Sequence, residues 1–438
     1  MKRFFQTIKN IFSIEELKMK ILNTLGFLII FRLGSFVTLP GVDPSKLNAS
    51  AEGIFGLLNT FLGGAFLKAS IFGLGIMPYI SASIVLQLMT VAVPYFQRLQ
   101  KEGDSGRKKI NQITRVLTIF ICLAQSFGYL TTIPAEAIVV ANPFFFKISA
   151  VIILTSGTIF CMWLGEKITD KGIGNGISML IMIGIISRFP ASIVAEALSR
   201  GLSQALILVI ELVALFFVVL VTVALTQAIR RIPVQYAKQV VGNKVYGGQR
   251  QYIPLKVNSA GVMPIIFAQS LMFLPSMVAG YWADSSDTAS YIATTFSQIE
   301  TWQYNVAFGT LIILFTFFYT AITINPSQIA DDMKRNGGFI PGVKPGKQTS
   351  EFIDRILSRV TLPGSVFLAV IAILPAFAII AGVSRDFATF YGGTSLLIMV
   401  GVILDTLQQI ESYLLMRHYE GMMKSGKVKG RTQNAAVA

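Results

Sequence analysis

Residues 72–84 read FGLGIMPYISASI. The run is apolar enough to lie in a membrane. Yet Gly73, Gly75 and Pro78 fall within six positions, where a spanning helix should be regular. Glycine weakens a helix interior, and proline removes a backbone donor and clashes with the preceding turn. Ile76 and Ile80 follow straight after the glycines, four apart, and so share one helix face. The stretch therefore predicts a broken membrane helix, and the rest of the chain must say what the break is for.

Of the 438 residues, 53% are hydrophobic and only 13% charged, with a mean hydropathy of +0.65. A soluble domain carries about a quarter charged residues. With long apolar stretches recurring throughout, the chain reads as a polytopic membrane protein. The N-terminus carries Lys2, Arg3, Lys9, Lys18 and Lys20, but its polar lead is long and the apolar run behind it spans, so no cleavable signal is expected. Cys122 and Cys161 both fall inside apolar runs and imply no disulfide framework. The lone histidine, His418, lies in the polar C-terminal tail, which removes nearly all histidine-based metal or acid–base chemistry.

Runs long enough to cross about 30 Å of hydrocarbon fall near 21–39, 74–93, 113–133, 144–164, 176–196, 203–229, 257–280, 304–324, 362–382 and 393–415. That makes ten expected spans. An eleventh apolar stretch, near 57–72, is broken by Gly63, Gly64 and Lys68 and leads straight into the opening segment. With the N-terminus in the cytoplasm, the inner loops and both termini hold 30 of the 37 lysines and arginines. Six others, Lys46, Lys68, Lys147, Arg188, Arg200 and Arg385, fall to the outer side, and Arg32 lies in the first span. This bias places both termini inside. Ten spans divide five plus five near residue 200. An odd number in each half makes the second half enter from the opposite side, the geometry of an inverted repeat.

A transporter or proton pump keeps ionisable groups at the midplane. Here Glu211, Asp405 and Glu411 lie towards span ends or in single positions, Arg32 stands alone, and no Asp/Glu/His relay exists. Neutral polar residues in the spans, including Ser81, Ser83, Gln125 and Thr323, read first as interhelical hydrogen-bonding groups. The glycines of TDKGIGNGIS, Gly172, Gly174 and Gly176, lack a preceding strand and a following lysine, and read as a tight turn rather than a phosphate cradle. No serine or cysteine has a plausible partner base, so no enzymatic chemistry and no cofactor are expected.

Two inner loops exceed what a connection needs: RRIPVQYAKQVVGNKVYGGQRQYIPLK at 230–256 and NPSQIADDMKRNGGFIPGVKPGKQTSEFIDRILSRVT at 325–361. Each holds six basic residues. Alternation in the first predicts a short hairpin turning near Gly242–Asn243. Paired glycine and proline around 337–346 predict an ordered tip. The charge alone is explained by topology. A structured, projecting platform also suits an acidic or RNA-rich partner, and spacing leaves both readings open.

GIMPYISAS, EGDSGRKKI, ITDKGIGNGIS, YAKQVVG, IPLKVNSAGVMP, INPSQIADDMKRNGGFIPG and TFYGGTSLLI resemble, in order and at family spacing, the signatures of the SecY family. The resemblance runs from about residue 15 to 420. Members form the central subunit of the bacterial protein-conducting channel. The resemblance implies an all-α fold of ten helices in two five-helix inverted pseudo-repeats, residues 1–200 and 201–438, around a central hourglass pore in the bacterial plasma membrane. Its constriction would be Ile76, Ile80, Ile181, Ile185, Ile266 and Ile398. The stretch near 59–72, with Phe61, Gly63 and Gly64, would be an external plug. Gln87, Gln269 and Ser270 would lie on the helices of a lateral gate. Arg230, Arg231, Lys238, Lys244, Arg250, Lys334, Arg335, Lys344 and Lys347 would serve the loops that bind ribosome or motor.

On this resemblance the opening stretch acquires a reason. Gly73, Gly75 and Pro78 would weaken the helix so that the plug part can swing away, and irregular backbone is tolerable where it lines a cavity. Isoleucine suits a gasket because it is bulky, stiff at χ1 and offers a passing chain no hydrogen bonds. An apolar constriction also dewets and blocks ions. The resemblance implies translocation of unfolded secretory chains, lateral release of apolar segments into lipid, and energy supplied by the ribosome or the SecA ATPase, with SecE and SecG as subunits. One departure is Lys344 in PGVKPG, where the family usually has arginine: charge survives but the planar five-donor fork does not. The first hairpin likewise has Asn243–Lys244 where a more basic pair is common. Two competing readings are a secondary transporter with broken helices and inverted repeats and a passive assembly scaffold.

Overall fold

A computed structural model describes residues 14–47, 59, 62–131, 133–140, 142–201, 204–236, 239–241, 244–246, 250–269, 271–272 and 287–424. Two compact units emerge, one comprising residues 1–50, 58–188 and 402–438, the other 51–57 and 189–401.

In the first unit, helix α1 (Glu15–Gly34) leads to an irregular segment, then α2 (Met77–Ala92), α3 (Pro94–Lys101), α4 (Asp104–Thr131) and α5 (Pro143–Lys171). Helix α6 (Gly176–Arg200) begins in this unit and ends in the second. Helix α2 packs on α4, α4 on α5, and α5 on α1. Arg115 on α4 clasps Glu166 on α5 with two hydrogen bonds, of 3.0 and 2.8 Å. The core is built by Leu39, Leu62, Phe66, Leu74, Tyr129 and Leu154 among others, so the irregular 62–76 segment contributes to it as much as the helices do.

The opening stretch corrects one expectation. Gly73, Gly75 and Pro78 do not interrupt a helix. Residues 62–76 form successive turns, and Pro78 sits in the first turn of α2, where a missing N–H is no loss. Gly75 adopts φ +50°, and a Cβ there would stand 2.3 Å from Leu62 Cδ2, so the glycine permits both the turn and its packing. The sharp break lies at the other end, where α2 and α3 meet at 99° across Val93–Pro94. Proline disfavours helical backbone at the residue before it, and Val93 is extended at φ −113°, ψ 120°.

The second unit holds α7 (Ala205–Gln227), strands β1 (Ile229–Tyr236), β2 (Gln239–Val241), β3 (Lys244–Tyr246) and β4 (Arg250–Lys256), helical residues 263–269, α8 (Asp287–Ser297) and α9 (Trp302–Thr323). Then come α10 (Pro326–Arg335), β5 (Gly338–Phe339), α11 (Lys347–Ile380), α12 (Arg385–Ala388) and the first third of α13 (Gly393–Lys424). Helix α9 packs along α11, and their core gathers Ile265, Ala268, Tyr304, Ile312, Leu368, Ile371 and Leu397.

Seven helices among the described residues are long and apolar enough to cross a membrane, or eight with the bent α2–α3 pair counted as one span. The first expected span is α1, which carries Glu15, Glu16, Lys18 and Lys20 in its opening turns. The seventh is described as helix at 263–269 and 271–272, and 273–280 lie outside the described residues. Helix dominates, as expected, but the fold is not all-helical. The predicted hairpin is present as β2 and β3, with Val241 opposite Lys244. It continues a longer ribbon in which β1 pairs with β4 from Ile229–Lys256 to Gln235–Arg250. Strand β5 of the later loop joins the other edge of β1. Alternation drives this, because Ile232 and Val234 point inward while their neighbours Arg231 and Pro233 are exposed.

Candidate functional site

In the first unit, Ile76 is the residue that caps α2 and Ile80 follows one turn later, its N–H donating to the Ile76 carbonyl at 3.1 Å. Ile76 is buried and Ile80 half-buried. Ile181 and Ile185 lie four apart on α6, both buried. The turn before α6 fixes where that helix starts. Thr24 Oγ1 accepts from Ile173 N–H, Gln409 Oε1 from Gly174 N–H, Thr169 Oγ1 from Gly176 N–H, and Asn175 Oδ1 from the N–H groups of Ile177 and Ser178. Amides already committed inside the protein cannot cradle a phosphate, so the glycine-rich turn is structural.

In the second unit, Ile266 and Ile398 sit one position beyond Ile265 and Leu397, which are fully or almost fully buried in the core. The two elements are tied at this level. Thr394, one turn before Ile398, donates its hydroxyl to Gln269 Oε1 at 3.1 Å, three residues after Ile266. Gln269 was singled out in the sequence; Thr394 was not, and its only signal there was a hydroxyl four residues before an expected ring isoleucine. Thr394→Val keeps the shape and removes the donor. It is expected to lower unfolding stability in detergent by about 0.6 kcal/mol. A double-mutant cycle with Gln269→Leu should recover that coupling, and additive losses would mean the bond contributes nothing.

Gln87 lies half-buried on α2, its carbonyl accepting from Thr90 Oγ1 at 2.6 Å. Ser270, Phe61 and Lys238 lie outside the described residues. Gly63 and Gly64 both adopt left-handed backbone, at φ +61° and +90°. Their segment is fastened to its own unit. Leu39 N–H donates to Ala69 O at 2.7 Å, Ile71 N–H to Val37 O at 2.9 Å, and Tyr129 Oη to Phe66 O at 2.6 Å.

The two large loops form one small body, which the sequence reading treated as two. Ile232, Val234 and Leu255 of the ribbon share a core with Met333, Ile340 and Ile353 of the later loop. Asn325 caps α10 by accepting from the N–H groups of Ser327 and Gln328. The expected ordered tip is present. Gly337, Gly342 and Gly346 take positive φ, Ile340 O accepts from Val343 N–H at 3.0 Å, and Thr349 Oγ1 donates to Lys344 O at 2.9 Å. Arg230, Arg231, Lys334, Arg335, Lys344 and Lys347 are exposed on this frame. Lys244 and Arg250 stand in β3 and β4.

Among the described residues no cluster of His, Cys, Asp or Glu could hold a metal ion. The buried acids that are present, Glu196 and Glu211, are both paired with Arg200 at the ends of α6 and α7. That arrangement is a clasp between helix ends, not a midplane ion site.

A sequence model of the SecY family matches residues 70–407. Among curated relatives, "Protein translocase subunit SecY" of Streptomyces galbus is 43% identical over 431 residues, covering 94% of this chain and 98% of that protein. Among solved structures, "The structure of a protein conducting channel" superposes with a TM-score of 0.63 at 16% identity, over 90% of this chain and 92% of the other. "Sec61 in the Canine ribosome-channel complex from the endoplasmic reticulum" superposes with a TM-score of 0.59 at 15% identity, over 90% and 92%.

Proposed function

The chain belongs to the SecY family, and from that premise we propose how its residues act in a protein-conducting channel. The chain is a multi-pass membrane protein that carries unfolded polypeptides across the bilayer. Apolar segments leave sideways because a spanning segment is more stable in hydrocarbon than in water.

Ile76, Ile80, Ile181, Ile185, Ile266 and Ile398 form the constriction, with Gln87, Gln269 and Ser270 on the helices that part for lateral release. The observation that carries this reading is the pairing within each unit. Ile76 caps α2 at the end of the 62–76 turns and Ile80 lies one turn on, and Ile266 and Ile398 flank the Thr394–Gln269 hydrogen bond. Branched, hydrogen-bond-free side chains held on fixed helices make a compliant seal that dewets when empty. The segment near 59–72 is the plug. Ten spans in two inverted five-span halves, divided near residue 200, fit the ten apolar runs of the sequence.

The basic loop body is the docking face for the ribosome or the SecA motor. Exposed cations on a framed surface attract phosphate-rich or acidic partners. A canine relative is described in a ribosome–channel complex. SecE and SecG complete the assembly. The membrane is the bacterial plasma membrane, with both termini cytoplasmic, a placement supported by the inner bias of lysine and arginine.

Site-specific photocrosslinking tests the ring. Probes at Ile80 or Ile266, with lipid-facing probes in the same spans as controls, are set against a secretory chain stalled halfway. Crosslinks from the ring positions alone are expected. A verified stalled chain that gives none would remove the ring assignment.

A further inference from the structure

We propose that Arg32 is a positioning residue that latches the plug through the backbone carbonyl of Gly63. The inference rests on the reading of residues near 59–72 as a plug and adds what holds that segment in its seat. All the groups involved belong to the first unit.

Arg32 is a charge inside the apolar first span, and such charges are retained in membrane helices where they have a partner. Its Nη1 donates to Gly63 O at 2.8 Å. Its guanidinium stands 4.6 Å from the centroid of the Phe36 ring. Lys68, five residues past Gly63, places its Nζ 4.2 Å from the same ring centroid. Among the described residues no carboxylate pairs with Arg32 or Lys68. The arginine therefore spends its charge on a backbone carbonyl and an aromatic face, both neutral acceptors of a cation.

Among the described residues, Arg32 is the partner of that carbonyl. The turn closes on itself elsewhere, with Gly64 N–H donating to Asn59 O at 2.9 Å and Leu67 N–H to Asn59 Oδ1 at 3.2 Å. Gly63 also fills a socket with no spare room. An added Cβ would stand 2.8 Å from Arg32 Nη1, 2.9 Å from Ser187 Oγ and 3.0 Å from Gly184 Cα. The walls are thus α1 on one side and α6, at the Ile185 turn, on the other. Beside the bonds the segment already makes at Phe66, Ala69 and Ile71, this charge-assisted bond in a tight socket seats the Gly63 turn, and it breaks without disturbing either helix.

Losing such a bond should shift the seated-to-unseated ratio about ten- to a hundred-fold. The test uses the full channel complex in liposomes and reads resting anion efflux beside the translocation rate of a normal secretory precursor. Arg32→Met should leak at rest far above wild type while still translocating. Arg32→Lys, which keeps one cationic donor, should restore most of the seal, as a merely space-filling role would not require. A deletion of residues 62–69 separates the two layers of the argument. If the deletion leaks and Arg32→Met stays tight, the latch is wrong and the plug reading survives. If the deletion itself is tight, the plug reading falls and the latch with it. Should Arg32→Met fail to assemble, Arg32→Gln carries the comparison: more leak than Arg32→Lys supports the latch, and equal leak overturns it.

Discussion

Arg200→Met is expected to be among the most destabilising single changes in this chain, lowering unfolding stability in detergent by about 3–5 kcal/mol. Arg200 ends α6, and its guanidinium is shared among three acceptors. Nε reaches Glu196 Oε1 at 2.9 Å, and Nη2 reaches Glu211 Oε1 and the Gly382 carbonyl, each at 2.6 Å. Glu196 and Glu211 are 1% and 7% exposed. Glu196 Oε2 also accepts from Ser384 N–H at 3.1 Å, and Tyr391 Oη donates to Glu211 O at 2.6 Å. One cation is therefore shared between two buried carboxyl groups and ties the ends of α6 and α7 to the segment after α11. Removing it strands both charges, which is far worse than never having had the pair. Lysine cannot replace it, since a single ammonium lacks the planar fork that spans three acceptors. Glu211→Gln should be much milder, because among the described residues Glu211 Oε2 already has no partner, and Oε1 can still accept. Equal losses for Arg200→Met and Glu211→Gln would show that stranded charge is not the cause.

That clasp also shows what the sequence could and could not disclose. Glu211 and Arg200 were visible as isolated charges near span ends, but nothing in their spacing says that they meet. Pairing between positions eleven apart depends on how the end of α6 meets the start of α7, and the contact to Gly382 depends on tertiary packing. The same limit hid Thr394–Gln269 and the Arg32–Gly63 bond. Local chemistry was far more legible. Alternation of branched and polar residues gave the β2–β3 pairing, because period two is a property of the strand itself; the expected turn at Gly242–Asn243 lies outside the described residues. The β1–β5 pairing was missed, since two residues of strand in a Gly-Pro loop carry no periodic signal. Gly73, Gly75 and Pro78 announced irregularity correctly but not its kind. Composition cannot distinguish a helix broken in the middle from a helix that begins at its proline. Hydropathy found every helix that is apolar along its length, yet α1 is charged at its start and begins six residues before the apolar run does.

Ile398→Asn is expected to change function more than any other substitution at the proposed constriction. Ile398 is 5% exposed, beside Leu397 in the core and one turn past the Thr394–Gln269 bond. Asparagine is smaller, and it brings two donors and an acceptor into a surface that has none to offer. A buried amide without partners costs about 1–3 kcal/mol, and that penalty applies only while the constriction is closed and dry. Once water or a polypeptide fills the pore, the amide is solvated. The closed state should therefore lose about ten- to a hundred-fold of its advantage, and chains with weak signal sequences should pass that the wild type rejects. Export of a reporter with a crippled signal, set against the same reporter with an intact one, reads this directly. Ile398→Val removes one methylene and should leave the selectivity unchanged. Leu397→Asn is the discriminating control, because that side chain belongs to the core. It should lower protein level and stability without relaxing selectivity. If Leu397→Asn relaxes selectivity as much as Ile398→Asn, general loosening explains the effect and the position has no special place at the pore. If neither does, Ile398 is not part of the seal and the ring assignment at that position falls.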